Sequence, residues 1–229
     1  MPSEPAPTPL LSARGLTVSR PGDAGPVVIL RGIDLDVAPG TLTDVVGPSG
    51  SGKTTLLLAL ARLFPGASGE LHLEGQPAAA IDSRAWRSRV AYLPQRSALL
   101  PGTVGENLLL PWRLKVRAGA LAPGLDELRS ALDRVHMSDV SLDRESVRLS
   151  EGQAARVALL RTVMARPSVL LLDEPDASLD DDSAAQVGAL TSEFVAGGGA
   201  VVRVRHLRAD ERADRRLRLV GGTLTEMPS

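Results

Sequence analysis

Short apolar runs alternate along the chain with segments whose apolar residues recur at helical spacing, and that succession predicts strands alternating with helices. From Leu16 to Val37 the spacing is strand-like, with Val27 to Leu30 and Ile33 to Val37 separated by Arg31-Gly32, and Asp23-Ala24-Gly25 forms a turn. A strand follows at Leu42 to Val46, then a helix at Thr54 to Leu63, and short strands at Leu71 to Leu73 and Val90 to Leu93. Pro101, Pro111 and Pro123 punctuate a stretch of helical segments up to about Val140, of which Leu125 to Val135 has the clearest apolar period. Helix returns at Ser150 to Ala165, where Ser150 and Gln153 stand in capping-box spacing. A fully apolar strand, Val169 to Leu172, precedes another helix after Asp180 and a strand at Ala200 to Val204. Such an order predicts an α/β fold whose parallel sheet is covered on both faces.

Composition narrows the function classes. With 229 residues, 43% hydrophobic and 23% charged, the chain is long enough for one α/β domain with an insertion. The net charge of −1 supplies no global field toward nucleic acid or anionic lipid, and the arginines from Arg208 to Arg218 alternate with Asp210, Glu211 and Asp214, as on a solvated face. Cysteine is absent, excluding disulfides and thiolate metal sites, and His72, His136 and His206 are scattered. No apolar run approaches the roughly 18 residues of a membrane span, and the proline-rich start is expected to be a mobile tail over 1–9. A cytosolic setting is expected.

Gly47-Pro48-Ser49-Gly50-Ser51-Gly52-Lys53-Thr54-Thr55 matches the pattern G-x-x-x-x-G-K-[ST] between an apolar strand and a helix. Glycines let the backbone curl so that its N–H groups point at phosphate oxygens, and the following helix adds its positive end. Lys53 neutralises phosphate charge and Thr54 offers a hydroxyl to Mg²⁺. Average residue frequencies make the full pattern a chance event in roughly one chain in a hundred. The chain is therefore expected to bind a nucleoside triphosphate. Asp173 and Glu174 close the apolar strand Val169 to Leu172, where doubly wound sheets present ligand-contacting side chains. Asp173 can serve Mg²⁺ and Glu174 can polarise the water that attacks the γ-phosphate.

In this order the motifs resemble those of ATP-binding-cassette ATPase subunits, over essentially the whole chain after the tail. Gln95 in Tyr92-Leu93-Pro94-Gln95 is similar to the family's glutamine loop, and Leu149-Ser150-Glu151-Gly152-Gln153 to its signature. Ala177-Ser178-Leu179-Asp180 resembles the dimer-contact loop, and His206 falls where the switch histidine is expected. The resemblance implies a phosphate-loop NTPase with a RecA-like parallel core over 10–95 and 157–229, an antiparallel β subdomain, and an inserted helical subdomain over about 96–156. It implies ATP and Mg²⁺ as cofactors, with Thr54, Gln95 and Asp173 serving the metal and Glu174, Gln95 and His206 acting in catalysis. Ser150, Gly152 and Gln153 would then contact nucleotide held by a second copy, since one loop cannot wrap both ends of a triphosphate.

Three positions depart from the family pattern. Arg20, before Pro21-Gly22, stands where an aromatic ring usually stacks on adenine, and Arg can also stack on a base. Glu151 replaces a glycine of the signature, and its side chain is expected to point away from the nucleotide. Asp44 interrupts an apolar strand and is expected to pair with Arg203 or Arg205, since an unpaired buried carboxylate would be costly.

The segment Gly102 to Leu114, with its Pro111-Trp112 pair, is similar to the small stand-alone subunits of iron-export transporters. The leading expectation is thus an ATPase energising a separate polytopic membrane permease, peripheral on the inner face of the membrane, with no nucleic-acid partner. Two alternatives stand beside it: a soluble cassette ATPase acting on a nucleic-acid or ribosomal partner, and a small-molecule kinase. A single cassette without heptads or basic extensions speaks against the former. The signature and glutamine loop would go unexplained in the latter.

Overall fold

The computed structural model describes residues 8–23, 25–96, 98–177, 179–205 and 212–228. In chain order the strands and α-helices are β1 (Leu11–Arg20), β2 (Val27–Val37), β3 (Leu42–Val46), α1 (Lys53–Leu60), β4 (Ala67–Leu73), β5 (Gln76–Pro77), α2 (Ser83–Arg89) and β6 (Val90–Leu93). Then come α3 (Val104–Leu109), α4 (Leu125–Arg134), α5 (Glu151–Met164), β7 (Val169–Asp173), α6 (Asp181–Ala196), β8 (Ala200–Arg205), β9 (Arg215–Val220) and β10 (Thr223–Glu226).

Two sheets organise the molecule. One is antiparallel, in the order β2-β1-β4-β5, and the other runs β10-β9-β3-β8-β7-β6, parallel from β9 to β6 with β10 antiparallel at its edge. The Arg31-Gly32 pair that separates two apolar runs in sequence does not break β2. It forms a bulge there, where Leu16 faces Ile33 but Val18 faces Leu30, and Gly32 takes φ 60°.

Every residue of β7 is buried because helices cover both faces of the parallel sheet. On one side Leu56, Leu57 and Leu60 of α1 pack with Leu171, Val202 and the antiparallel sheet. On the other, Leu170, Leu172 and Val201 pack with α5 and α6, in a core that continues through Leu108 of α3 and Leu128 and Leu132 of α4. Each such leucine contributes on the order of 1.5–3 kcal/mol by leaving water. Between β6 and β7 the chain is helical as expected, with 3₁₀ turns at Leu110–Arg113 and Lys115–Arg117, and α5 runs unbroken through position 156.

Four local differences from the sequence expectations have physical causes. Helix α1 stops at Leu60 rather than Leu63, since Arg62 adopts φ 56° while its guanidinium donates to the carbonyls of Ala78 and Ile81. Helix α2 was not expected; Asp82 caps it by accepting from the N–H groups of Arg84 and Ala85, and Trp86 anchors it in the core. The arginine-rich stretch is not merely a solvated face, because Leu217 and Leu219 of β9 alternate inward and extend the sheet beside β3. Asp214 is drawn in as well, accepting from the Leu42 N–H at 2.7 Å. Residues 1–7 of the tail expected over 1–9, the turn residue Ala24, Ser178, and Arg208, Asp210 and Glu211 lie outside the described residues. Among the described residues no helix is long and apolar enough to cross a membrane.

Candidate functional site

The loop from β3 to α1 is shaped by its glycines and closed by Lys53. Gly52 stands at φ 100°, a conformation that side chains disfavour, with the Ile29 and Leu30 side chains of β2 at its open side. Lys53 is buried and its Nζ donates to the carbonyls of Gly47 at 2.9 Å and Pro48 at 3.1 Å, which holds the ammonium inside the loop's curve. No side chain caps α1 and no acid lies in its first turn, so its leading N–H groups remain available to an anion. The buried Oγ of Ser51 has no hydrogen-bond partner among the described residues. An uncapped helix start, a buried ammonium and an orphaned hydroxyl in one loop fit a polyphosphate.

This loop floors a cleft of about 900 Å³, whose remaining walls are Arg20, Val27, Val28, Ile29, Arg31, Gln95, Glu174 and the Gly221-Gly222 turn. The expected phosphate-binding residues from Pro48 to Thr55 line it together with Arg20 and Gln95. At the end of β7, Asp173 is buried and its Oδ2 accepts a hydrogen bond from the Tyr92 hydroxyl at 3.2 Å. Burial, reinforced by the neighbouring Asp173 charge, pushes the Tyr92 hydroxyl well above its ordinary pKa, so it remains a donor to that carboxylate. Glu174 takes φ 47°, rare for a residue with a side chain, and its N–H donates to the Val204 carbonyl at 3.1 Å. Such strain persists only where the surroundings enforce it. The Gln95 side-chain amide donates to Glu174 Oε2 at 3.0 Å, joining the loop after β6 to the loop after β7. The oxygen-bearing groups of Thr54, Gln95 and Asp173 suit a hard divalent cation.

Ser150, Gly152 and Gln153 do not line this cleft. Ser150 caps α5, accepting from the Gln153 N–H at 3.2 Å, while the Gln153 side chain accepts from the Ser150 N–H at 3.1 Å. Gly152 is required by packing, because a Cβ there would collide with Ser183 in the first turn of α6. Glu151 is exposed in the first turn of α5. His206 lies outside the described residues. Several contributors were not anticipated: Tyr92 follows a β-strand pattern that gives no sign of its contact with Asp173, and Arg31, at the β2 bulge, lines the cleft with Val27, Val28, Ile29 and the Gly221-Gly222 turn.

The family described as ABC transporter matches residues 30–177. The rice protein STAR1 is 42% identical over 172 residues, 75% of this chain, which spans only 48% of that relative's length. The lipoprotein-releasing system ATP-binding protein LolD of Anaeromyxobacter dehalogenans is 36% identical, with 97% of this chain and 95% of the relative covered. The probable iron export ATP-binding protein FetA of Escherichia coli is 34% identical over 75% of each chain. Among solved structures, a dimeric ATP-binding cassette in a post-hydrolysis state bound to ADP and Pi superposes with a TM-score of 0.79 at 22% identity, covering 96% of this chain and 99% of that one.

Proposed function

The chain belongs to the ABC transporter family as one of its ATP-hydrolysing subunits, and from that premise we propose that it closes with a second copy of itself around ATP and thereby drives a separate polytopic permease. What carries this reading is one cleft that combines an uncapped helix start, the Lys53 ammonium and the Gln95–Glu174 pair. In the proposed division of labour, backbone N–H groups from Gly47 to Thr55 cradle the phosphates and Lys53 neutralises their charge. Glu174 accepts the proton of the attacking water, and Gln95 orients the Glu174 carboxylate through the hydrogen bond already present. His206 would sense the γ-phosphate. Ser150, Gly152 and Gln153 would meet the nucleotide of the second copy, which accords with their position away from this copy's cleft. Mg²⁺, held by Thr54, Gln95 and Asp173, would supply charge neutralisation between the phosphates.

The segment over about 96–156 is proposed to face the permease at the inner side of the membrane, with the core at 10–95 and 157–229 acting as the engine and 1–9 as a tail. Iron is the proposed cargo, supported by the Pro111-Trp112 segment and by the likeness to FetA. Cells lacking the chain should retain more iron after metal loading, and unchanged iron content would remove that assignment. For the ATPase roles the test is Glu174→Gln. The variant should bind ATP as the natural chain does, accumulate as a dimer in size-exclusion chromatography, and lose at least a hundredfold in turnover. Turnover at the natural rate would take Glu174 out of catalysis.

A further inference from the structure

Among the described residues, the walls of the nucleotide cleft contain no Phe, Tyr or Trp side chain. The chain has only five aromatic residues, and each is committed elsewhere. Trp86 is fully buried with its Nε1 donating to the Leu60 carbonyl, Tyr92 binds Asp173, Trp112 lies beneath the Arg117 guanidinium, and Phe64 and Phe194 pack against the two apolar cores. A second copy brings the same five. A base in this cleft therefore lacks the ring on which it would ordinarily stack.

What the cleft offers instead is aliphatic surface and guanidinium. The phosphate loop fixes one end of any bound triphosphate, and Gln95 with Glu174 occupies the side at the end of β7. The remaining wall, which must receive ribose and base, consists of Val27, Val28 and Ile29 flanked by Arg20 and Arg31, with the Gly221-Gly222 turn beside them. Neither guanidinium has a hydrogen-bond or ion-pair partner among the described residues, so both forks can turn to a ligand. A guanidinium only donates. Guanine presents two acceptors, O6 and N7, on one edge, whereas adenine presents N7 beside an amino group that also donates. The two-acceptor edge matches the fork; the mixed edge wastes half of it.

We propose that this cleft recognises its purine by edge hydrogen bonding from arginine, Arg20 foremost, and that the subunit accepts guanosine triphosphate at least as readily as ATP. The proposal rests on the nucleotide-binding reading above but makes a separate claim about the base. Titration calorimetry of the full chain with magnesium and ATP, GTP or CTP tests it. GTP should bind as tightly as ATP or up to roughly tenfold more tightly, and CTP more weakly than either. Arg20 is exposed, so replacing it leaves the core untouched. Arg20→Tyr should shift the ATP-to-GTP affinity ratio about tenfold toward ATP. Arg20→Lys, which keeps the charge but loses the fork, should weaken GTP while leaving ATP nearly unchanged. ATP bound more tightly than GTP by the natural chain, or a ratio unmoved in both variants, overturns the proposal while sparing the ATPase assignment. Failure of all three nucleotides to bind would defeat both.

Discussion

Asp44 and Arg203 face each other across β3 and β8, each 3% exposed, with Nε donating to Oδ1 at 2.8 Å and Nη2 to Oδ2 at 3.1 Å. Two aliphatic residues would satisfy the same sheet positions without desolvating charge, so the pair contributes geometry more than net stability. Its bidentate form fixes the register of the strand that leads to the phosphate loop. Asp44→Leu should cost about 3–5 kcal/mol, because the Arg203 charge stays buried without this carboxylate. Asp44→Leu with Arg203→Leu should recover most of that loss, measured as the urea midpoint of the natural chain and both variants. Equal losses in single and double variants would show that the ion pair does not set the cost. That Asp44 needs a guanidinium was legible in sequence, since a lone acid in an apolar strand demands a partner; Arg203 and Arg205 both remained open through the family resemblance, and the β3–β8 register selects Arg203. The contact of Tyr92 with Asp173 was not legible, because it depends on β6 lying beside β7, which no local spacing encodes.

The starts of α2, α3, α5 and α6 are set by acids and hydroxyls whose partners are backbone N–H groups, whereas α1 and α4 begin at glycines without a side-chain cap. Asp82 caps α2, Asp180 caps α6, and Thr103 with Glu106 forms a reciprocal box at α3, as Ser150 and Gln153 do at α5. Backbone N–H groups hold the carboxyls of Asp82, Glu106 and Asp180 below their usual range, from Arg84 and Ala85, Thr103 and Ser183 respectively. Arg89 does the same for Glu74 through its side chain, and Arg215 for Glu226. Since these folded-state values lie below the unfolded ones, the stability they supply is complete above about pH 4.5 and is lost as pH falls through the folded values. Asp82→Asn with Asp180→Asn keeps both caps but removes two of the titrating groups. The double variant should match the natural chain in thermal midpoint at pH 7 and lose less on acidification to pH 3. Parallel pH profiles would mean that these caps do not contribute to acid sensitivity. The same chemistry explains which elements sequence could show. The box at α5 precedes a helix with abundant apolar residues and was expected, whereas Asp82 precedes seven residues with only Ala85 and Trp86 to mark a buried side, and α2 was missed.

At the scale of the whole molecule, the parallel core was readable because β3, β6, β7 and β8 are predominantly apolar runs, while β9 was obscured by arginines that alternate with the buried Leu217 and Leu219, and the four residues of β10 hold a single aliphatic side chain. The phosphate loop was readable for a different reason: its residues are adjacent in sequence. The signature residues are also contiguous, yet in a single chain they cap α5 and line no part of the cleft, so their proposed contact with nucleotide needs another molecule. That requirement predicts complementation. Lys53→Ala removes the buried ammonium from the phosphate loop, and Ser150→Arg places a bulky side chain at the start of α5, so each variant alone should hydrolyse almost no ATP. In a mixed dimer, the intact loop of the Ser150→Arg chain would face the intact signature of the Lys53→Ala chain, giving one good site and one doubly damaged site. Random pairing makes about half of the dimers mixed, each with one working site of two, so an equimolar mixture should regain up to about a quarter of natural ATPase activity. If each cleft were completed within its own chain, both variants would be dead in any company and the mixture would remain as inactive as its parts.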